Sequence, residues 1–348
     1  MRVVIVWNGL PAYAASCLAK AKHCRRDDQI DLWGICPSPA QSTVDGLLDG
    51  WASWIPAGEM IPAKVFREPL DVMIVSGWHQ SACLDAARAA KKQGAYIVAM
   101  IDNRWIGSVR QVARAVYNRL FRTGLYDAAW VPGRAGARMA RSLGFPAGSI
   151  FRGLYGADPA IFTGGSQLAS RPKRFLYVGQ LIQRKNVVML AEAFARFARS
   201  HPDWELVIYG DGPDRELIAG SDRIVLRPFA SPEGIAQAMR ESRFLVLPSR
   251  EEHWGVVVHE ACLSGCGLVL SSAVGAAQDL ASPANCLTIS NLNNNGIVAA
   301  LKQAAEFTSQ QLQSAEQESL SRSQGFGPST FADNLDRIIN QAEGRRLK

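Results

Sequence analysis

The chain has 348 residues, 48% apolar and 20% charged, a length beyond one hydrophobic core and a composition usual for globular proteins, so two domains are expected. Its formal charge of +7 is uneven: residues 1–165 hold 19 Lys and Arg against 12 Asp and Glu, and residues 166–348 hold 19 of each. The basic half suits an anionic membrane surface or a phosphorylated ligand, while the lack of zinc-finger spacing and of an RNA-binding aromatic signature argues against nucleic acid.

Residues 2–7 read as a buried strand, 8–11 as a turn and 12–22 as a helix. Further strands are expected at 30–36, 72–76, 96–101 and 128–131, with helices near 41–49, 79–93, 106–121 and 133–143. Such alternation predicts a parallel sheet covered on both faces. The short Gly- and Ser-rich stretch 162–172 marks a domain boundary, giving domains 1–165 and 166–328. The second half repeats the pattern: strands at 175–178, 205–209, 223–226 and 244–247, helices at 187–199, 213–219 and 232–240, and a last helix opening at Trp254 and Gly255. Residues 329–342 place Phe331, Leu335, Ile338 and Ile339 on one helical face.

The N-terminal apolar run ends after Trp7, too short for a signal sequence, and the uncharged run 261–278 is broken by Ser and Gly, so no membrane span is expected. Seven cysteines without a C-x-x-C suggest neither a zinc site nor a disulfide framework and suit the reducing cytoplasm.

The chemistry gathers after the strand 244–247. A polar turn with Glu251 and Glu252 leads into the helix, placing a helix N-terminus at the carboxyl end of a buried strand, where open α/β sheets bind ligands and free N–H groups favour anions. Glu260 follows eight positions after Glu252, roughly a turn and a half inside the helix at about 1.5 Å per residue. Ionised carboxylates only accept hydrogen bonds, so they suit sugar or ribose hydroxyls. A phosphate on the N–H groups of Gly255 and Val256, with hydroxyls on the two glutamates, describes a nucleotide sugar. A second strand-to-helix junction carries Gly179, which lets the backbone pass close to a ligand, and Arg184 and Lys185, cations at a helix N-terminus that an anion would offset.

Glu252 and Glu260 with seven residues between them, Trp254-Gly255 inside and Ala261 and Gly265 after, resemble the signature of the retaining GT-B glycosyltransferases of glycosyltransferase family 4. Residues 179–186 resemble the family's G-R-L to K-G segment, whose basic residues hold the donor diphosphate. Lys185 matches, Gln180 stands where arginine is common, and Asn186 where glycine is common, leaving one charge lost or supplied by Arg184. Gly210, Gly212 and Pro213 resemble the family's G-x-G-P turn and read as a turn and a helix start.

The resemblance implies the GT-B fold: two doubly wound, Rossmann-like domains with an interdomain cleft, the first holding the acceptor, the second the donor, and the last helix, about 329–345, crossing back to the first. It implies retaining transfer of a sugar from a nucleotide diphosphate sugar to a glycan or lipid-linked acceptor, as in surface polysaccharide or lipopolysaccharide synthesis. The implied catalytic residues are Lys185, Glu252 and Asp102; the implied donor contacts are Gly9, Gly179, Gln180, Arg184, Lys185, Glu252, Trp254, Gly255, Val256 and Glu260. Gly9 is expected to offer an N–H. Asp102 ends a strand where many members have a histidine near the reacting sugar, and reads equally as a helix N-cap; His79 is the second choice. With no Asp-x-Asp and no zinc-like arrangement of histidines, no metal and no other cofactor is expected. Residues 105–121 carry Val112, Val116 and Leu120 beside Arg110, Arg114 and Arg119, with Arg122 next. They read either as a helix resting on an anionic membrane, at the inner face of the plasma membrane, or as one packed on the sheet with a solvated basic edge. Two other functions fit the layout, a GT-B sugar-nucleotide epimerase and a two-lobed solute-binding protein; the latter leaves the glutamate pair without a purpose.

Overall fold

The alternating apolar and amphipathic stretches form two parallel sheets with helices between successive strands. A computed structural model describes residues 1–25, 28–35, 48, 51–56, 59–77, 80–121, 124–218 and 222–346; the helix expected near 41–49 falls almost wholly outside them. The elements in order are β1 (Arg2–Asn8), α1 (Ala12–Cys24), β2 (Gln29–Ile35), β3 (Ala52–Ile55), β4 (Val72–Val75), α2 (Ser81–Lys92), β5 (Tyr96–Met100), α3 (Val109–Phe121), β6 (Ala128–Val131), α4 (Arg134–Ser142) and β7 (Ile150–Arg152). There follow β8 (Arg174–Val178), α5 (Val187–Ala198), β9 (Glu205–Tyr209), β10 (Ile224–Arg227), α6 (Pro232–Arg240), β11 (Phe244–Leu247), α7 (Val256–Leu263), β12 (Gly267–Ser271), α8 (Ala277–Leu280), β13 (Cys286–Ile289), α9 (Asn294–Ala305), α10 (Ser309–Ser323) and α11 (Pro328–Arg346).

The chain divides into two compact units, residues 1–156 with the chain from 326 onward, and residues 157–325. The division thus precedes the Gly- and Ser-rich stretch. Arg171 explains why: its buried guanidinium donates to the carbonyls of Ser166, Met239, Ser242 and Ser264, which binds that stretch to the second unit.

In the first unit the strands run β3-β2-β1-β4-β5-β6-β7, all parallel, so the order reverses between β1 and β4. Both faces of β4 and β5 are buried, as the continuous apolar runs require. The helix α11 belongs to this unit: Phe331 stacks on Trp130 with ring centroids 4.4 Å apart, and Leu335, Ile338 and Ile339 are buried with it. Asn334 donates to the carbonyl of Arg152, and Asp336 pairs with Arg25.

The second unit repeats the order as β10-β9-β8-β11-β12-β13, reversing between β8 and β11. Phe175 of β8 stacks on Trp204 at 4.4 Å and meets Phe194 and Phe197 of α5 edge-on. Where a helix is expected at 213–219, there is only a five-residue 3-10 turn, Pro213–Leu217, because Asp214 N–H is drawn to the carbonyl of Leu181 and Arg215 N–H closes back on Gly212. Among the described residues, no helix is long and apolar enough to cross a membrane. The expectation that Val112 and Val116 pack on the sheet is reversed in α3, where both are exposed and Gln111, Ala115 and Asn118 make the inward side; the side chain of Leu120 and all of Arg122 lie outside the described residues.

Candidate active site

The reversal of strand order in the second unit puts two loops side by side at the carboxyl ends of β8 and β11. The first runs through Gly179 and Gln180 into a 3-10 turn, Gln183–Lys185. Gly210 backs it: a Cβ there would lie 1.9 Å from the carbonyl oxygen of Gly179, and Leu181 exchanges hydrogen bonds with Asp211 and Asp214. The glycines of the G-x-G-P turn therefore serve packing, holding the Gly179 loop from behind. Asn186 has φ 60° and ψ 30°, the left-handed conformation that asparagine tolerates better than most non-glycine residues, which accounts for its standing where glycine is common. Its Oδ1 accepts from Nε of Arg250 at 3.2 Å and is not spent capping α5.

The second loop follows β11. Arg250 and Glu251 donate their backbone N–H groups to the carbonyl of Arg184, and the Arg184 guanidinium donates to the carbonyl of Glu251 at 3.2 Å, so the two loops are laced together. Glu252 is fixed by its backbone, which bonds to Ala273 and Gly275, and Ser271 Oγ donates to the carbonyl of Ser249 at 2.6 Å. Gly275 admits this contact, because a Cβ there would sit 1.9 Å from the carbonyl of His253.

The result is a direct ion pair between Lys185 Nζ and Glu252 Oε2, the side chains only 12% and 11% exposed. Sequence reasoning names both residues; the fold brings them into contact from positions 67 apart. Arg184 and Arg250 bring two guanidinium groups to the same two loops, on the Glu251 carbonyl and on Asn186. Arg250 was missed, although its place one residue after the Pro248-Ser249 stop was a usable signal.

Gly255 opens α7 with φ 90° and ψ 78°, and no side chain caps this N-terminus. Trp254, expected as a donor contact, is 1% exposed; its carbonyl accepts from Ala276 N–H and its ring faces His259 at 6.2 Å, so it holds the turn from the core. Glu260 is the fifth residue of α7, half-buried, and burial alone pushes its carboxyl up to about 7. Tyr177, whose hydroxyl donates to the carbonyl of Gln180 at 2.9 Å, is shifted upward by burial first and by the Glu252 charge second. The side chain of Gln180 itself is exposed.

The first unit has its own opening at its reversal point, a cavity of about 300 Å³ lined by Asn8, Gly9, Tyr13, Ser76, Gln80, Asp102 and Tyr155 among others. Gly9 lines it, but its N–H donates to the carbonyl of Ile35 at 2.7 Å, so it is not the free N–H donor expected of it. Asp102 accepts from the Tyr155 hydroxyl at 2.5 Å, and Tyr155 leans on Tyr13 with centroids 4.9 Å apart. The capping alternative for Asp102 fails: α3 begins at Val109, and Ser108 Oγ accepts from Gln111 N–H there. Tyr13 and Tyr155 were not foreseen. His79 lies outside the described residues.

Residues 172–313 match the family model described as Glycosyl transferases group 1. Among curated relatives, the Alpha-D-kanosaminyltransferase of Streptomyces kanamyceticus is 38% identical over 92 residues, 24% of each chain. The D-inositol 3-phosphate glycosyltransferase of Corynebacterium kroppenstedtii is 31% identical over 148 residues, 35% of this chain and 33% of that one. The chain thus spans a quarter to a third of the length of these relatives. Solved structures match far more of it: Anabaena HepE in complex with UDP-glucose is similar over 98% of this chain and 100% of its own, with a TM-score of 0.76 at 17% identity. Sucrose-phosphate synthase from Thermosynechococcus elongatus is similar over 99% and 100%, with a TM-score of 0.71 at 14% identity.

The chain has the GT-B fold, and its second unit contains a segment that matches glycosyl transferases group 1. The matching segment runs from β8 through the Lys185–Glu252 pair into α10.

Proposed function

We propose that the protein is a retaining, metal-independent glycosyltransferase that moves a sugar from a nucleotide diphosphate sugar, held by the second unit, to a glycan or lipid-linked acceptor, taken up by the first unit's cavity beside Asp102. The observation that carries this reading is the Lys185–Glu252 pair at the strand-order reversal, between two helix N-termini that no side chain caps. The N–H groups of Gly255 and Val256 and the cations Lys185, Arg184 and Arg250 suit a diphosphate, and Glu252 and Glu260 suit hydroxyls of the sugar and the ribose. The solved complexes of HepE with UDP and with UDP-glucose support a donor of this class.

In the reaction the bond from the anomeric carbon to the diphosphate oxygen breaks and the bond to the acceptor oxygen forms on the same face. The acceptor's proton passes to the leaving phosphate. Lys185, Arg184 and the N–H groups stabilise the charge that builds on the diphosphate, a role that elsewhere falls to a metal ion. Glu252 orients the transferred sugar and is not a covalent nucleophile. The protein acts in the cytoplasm, and surface polysaccharide or lipopolysaccharide assembly is the setting that fits a lipid-linked acceptor.

A thermal-shift screen of nucleotide diphosphate sugars tests the donor, since a ligand at 100 times its dissociation constant adds about 2.7 kcal/mol. The hit should release nucleotide diphosphate only when an acceptor is supplied, and equally in chelator. Release without acceptor fits an epimerase instead, and activity that vanishes in chelator and returns with manganese or magnesium overturns metal independence.

The orientation of the donor is tested separately. Glu260→Ala should weaken the nucleotide diphosphate and the intact sugar nucleotide alike, because the ribose is common to both. Glu252→Ala should weaken only the sugar nucleotide, by roughly 10-fold for a charged hydrogen bond of about 1.5 kcal/mol. Equal losses for both ligands in both variants exclude this orientation.

A further inference from the structure

The first unit has a second cavity, at the end of its sheet away from Asp102. It holds about 210 Å³ and is lined by Arg2, Asp31, Trp33, Trp51, Ser53 and Lys64 among others, none of which lines the cavity beside Asp102. Strand β1 runs from Arg2 in the one to Asn8 in the other, about 20 Å at about 3.3 Å per residue.

The sheet makes one wall. Trp33 of β2 and Ser53 of β3 are partners in neighbouring parallel strands and share a face, and Asp31, two residues before Trp33, shares it too. The 3-10 turn Ala63–Phe66 packs Val65 into the same core as Trp33, and Lys64 Nζ lies 5.1 Å over the Trp33 ring. Trp51 is held in place by its Nε1, which donates to the carbonyl of Ile30 at 2.7 Å. Lys22, which does not line the cavity, lies 5.5 Å over the Trp51 ring, and the half-buried indole keeps open surface.

Charge around the cavity is balanced. Arg2 Nη2 donates to Asp31 Oδ2 at 3.4 Å and Nη1 to the carbonyl of Glu68 at 2.8 Å, with the Glu68 carboxylate 4.0 Å from Nε. Two cations, Arg2 and Lys64, thus stand against two carboxylates, Asp31 and Glu68, which selects a guest without net charge. Arg2 Nε is buried and makes no hydrogen bond among the described residues, a group whose burial costs stability until an acceptor meets it. Asp31 accepts from a hydroxyl, and Arg2 and Lys64 donate to one. A pyranose ring has both of the surfaces that this wall calls for: hydroxyls on its rim, and C–H groups, slightly positive, that suit the negative face of an indole.

We propose that this cavity binds a neutral sugar ring, with the C–H face on Trp51 and neighbouring hydroxyls shared between Asp31 and Arg2. Binding there needs no donor. On the reading that the acceptor is a glycan, the site holds another ring of the same molecule, and a grip at two points favours long acceptors over short ones.

Saturation-transfer difference NMR of the full chain, without donor, is the test, with methyl α-D-glucopyranoside, methyl α-D-mannopyranoside and methyl β-D-galactopyranoside as probes. At least one should receive saturation, most strongly at its ring C–H groups. Asp31→Asn should weaken it roughly 10-fold, the loss of a charged acceptor, and Trp51→Leu roughly fivefold. Ser53→Trp, a change at an exposed position that fills the cavity, should abolish it with the melting temperature kept, and decides the matter if Trp51→Leu does not fold. Asp102→Asn should leave it in place. A signal lost in Asp102→Asn and kept in Ser53→Trp puts the sugar in the other cavity and overturns the proposal, as does saturation of none of the three glycosides, or an affinity that neither Asp31→Asn nor Ser53→Trp changes. Such a failure leaves the transfer reaction standing, because acceptor-dependent release of nucleotide diphosphate is read separately.

Discussion

Lys185→Ala is expected to lower the turnover of the sugar nucleotide by roughly 10²- to 10³-fold, the loss usual when one preorganised group facing developing charge is removed. The charge on the leaving diphosphate grows as the anomeric bond breaks, so an ammonium fixed beside it interacts more strongly with the transition state than with the bound donor. Such a loss belongs in kcat rather than in KM. The ammonium is fixed because its carbon stem is enclosed and its Nζ is held by Glu252, whose own backbone N–H donates to the carbonyl of Ala273 and whose carbonyl accepts from Gly275 N–H. Alanine has a second consequence: it leaves the Glu252 carboxylate, a residue 8% exposed, without its ion-pair partner, and a broken buried pair is destabilising. The double variant Lys185→Ala, Glu252→Gln separates the two effects. Its melting temperature should recover relative to the single variant, while its turnover should not. Steady-state kinetics and thermal melts of wild type, both singles and the double measure this, and a Lys185→Ala protein with unchanged kcat and only a raised KM rules out the transition-state role.

The parts of this arrangement that were legible in the sequence are those written as local pattern. Apolar runs flanked by turn residues gave most strands of both sheets to within a residue or two, and β11 with its original bounds, because a strand buried on both faces leaves an unbroken apolar run. Short edge elements such as β3 and β7, four and three residues long, carry too little periodicity to be seen. The Glu252–Glu260 spacing and the basic residues after Gly179 pointed to two loops that the fold brings side by side, since glycine and charge at a helix start have a physical reason to be there. What the sequence did not contain is which residues meet across the fold. Trp254 looked like a contact because it adjoins Gly255, and only its burial shows that it faces inward. Gly9 looked like a donor because it follows a strand, and only the neighbouring strand shows that Ile35 already takes its N–H. Val112 and Val116 obey helical spacing equally well facing in or out, and Gln111 and Asn118, polar residues on the inward side, misled the simple apolar-in rule.

Adjacent residues of α7 should give the protein opposite responses to acid, and removing either should expose the other. His259 is fully buried, its Nδ1 accepts the N–H of Ala157 at 2.9 Å, and its Nε2 faces the carbonyl of Ser323 at 2.9 Å, an arrangement that requires the neutral ring with the proton on Nε2. Burial, partly offset by the Ser323 carbonyl, lowers its pKa from 6.5 to about 4. Between those values the unfolded chain binds the extra proton and the folded chain does not, so stability is lost as pH falls from about 6.5 towards 4, by roughly 3 kcal/mol in all. Glu260 works the other way. Burial raises it from 4.5 to about 7, so between those values the folded chain holds the proton, and stability rises as pH falls through that window. Over the shared range, about 4.5 to 6.5, the two slopes oppose each other, and the wild-type contribution of the pair is nearly flat. Glu260→Gln should therefore become steadily less stable on acidification, and His259→Phe, though less stable throughout because Ala157 N–H loses its acceptor, should become more stable over the same range. Urea midpoints at several pH values read both slopes. If His259→Phe does not fold, Glu260→Gln alone decides, since an unchanged slope means Glu260 ionises as an ordinary glutamate. The same titration reaches the ligand: a ribose hydroxyl donates more strongly to the carboxylate than to the protonated acid, so affinity for nucleotide diphosphate should increase as pH rises through about 7 in the wild type and show no such rise in Glu260→Gln. An affinity that falls with rising pH, and does so only when Glu260 is present, means the acid form donates to the ligand and reverses the hydrogen bond assigned to it.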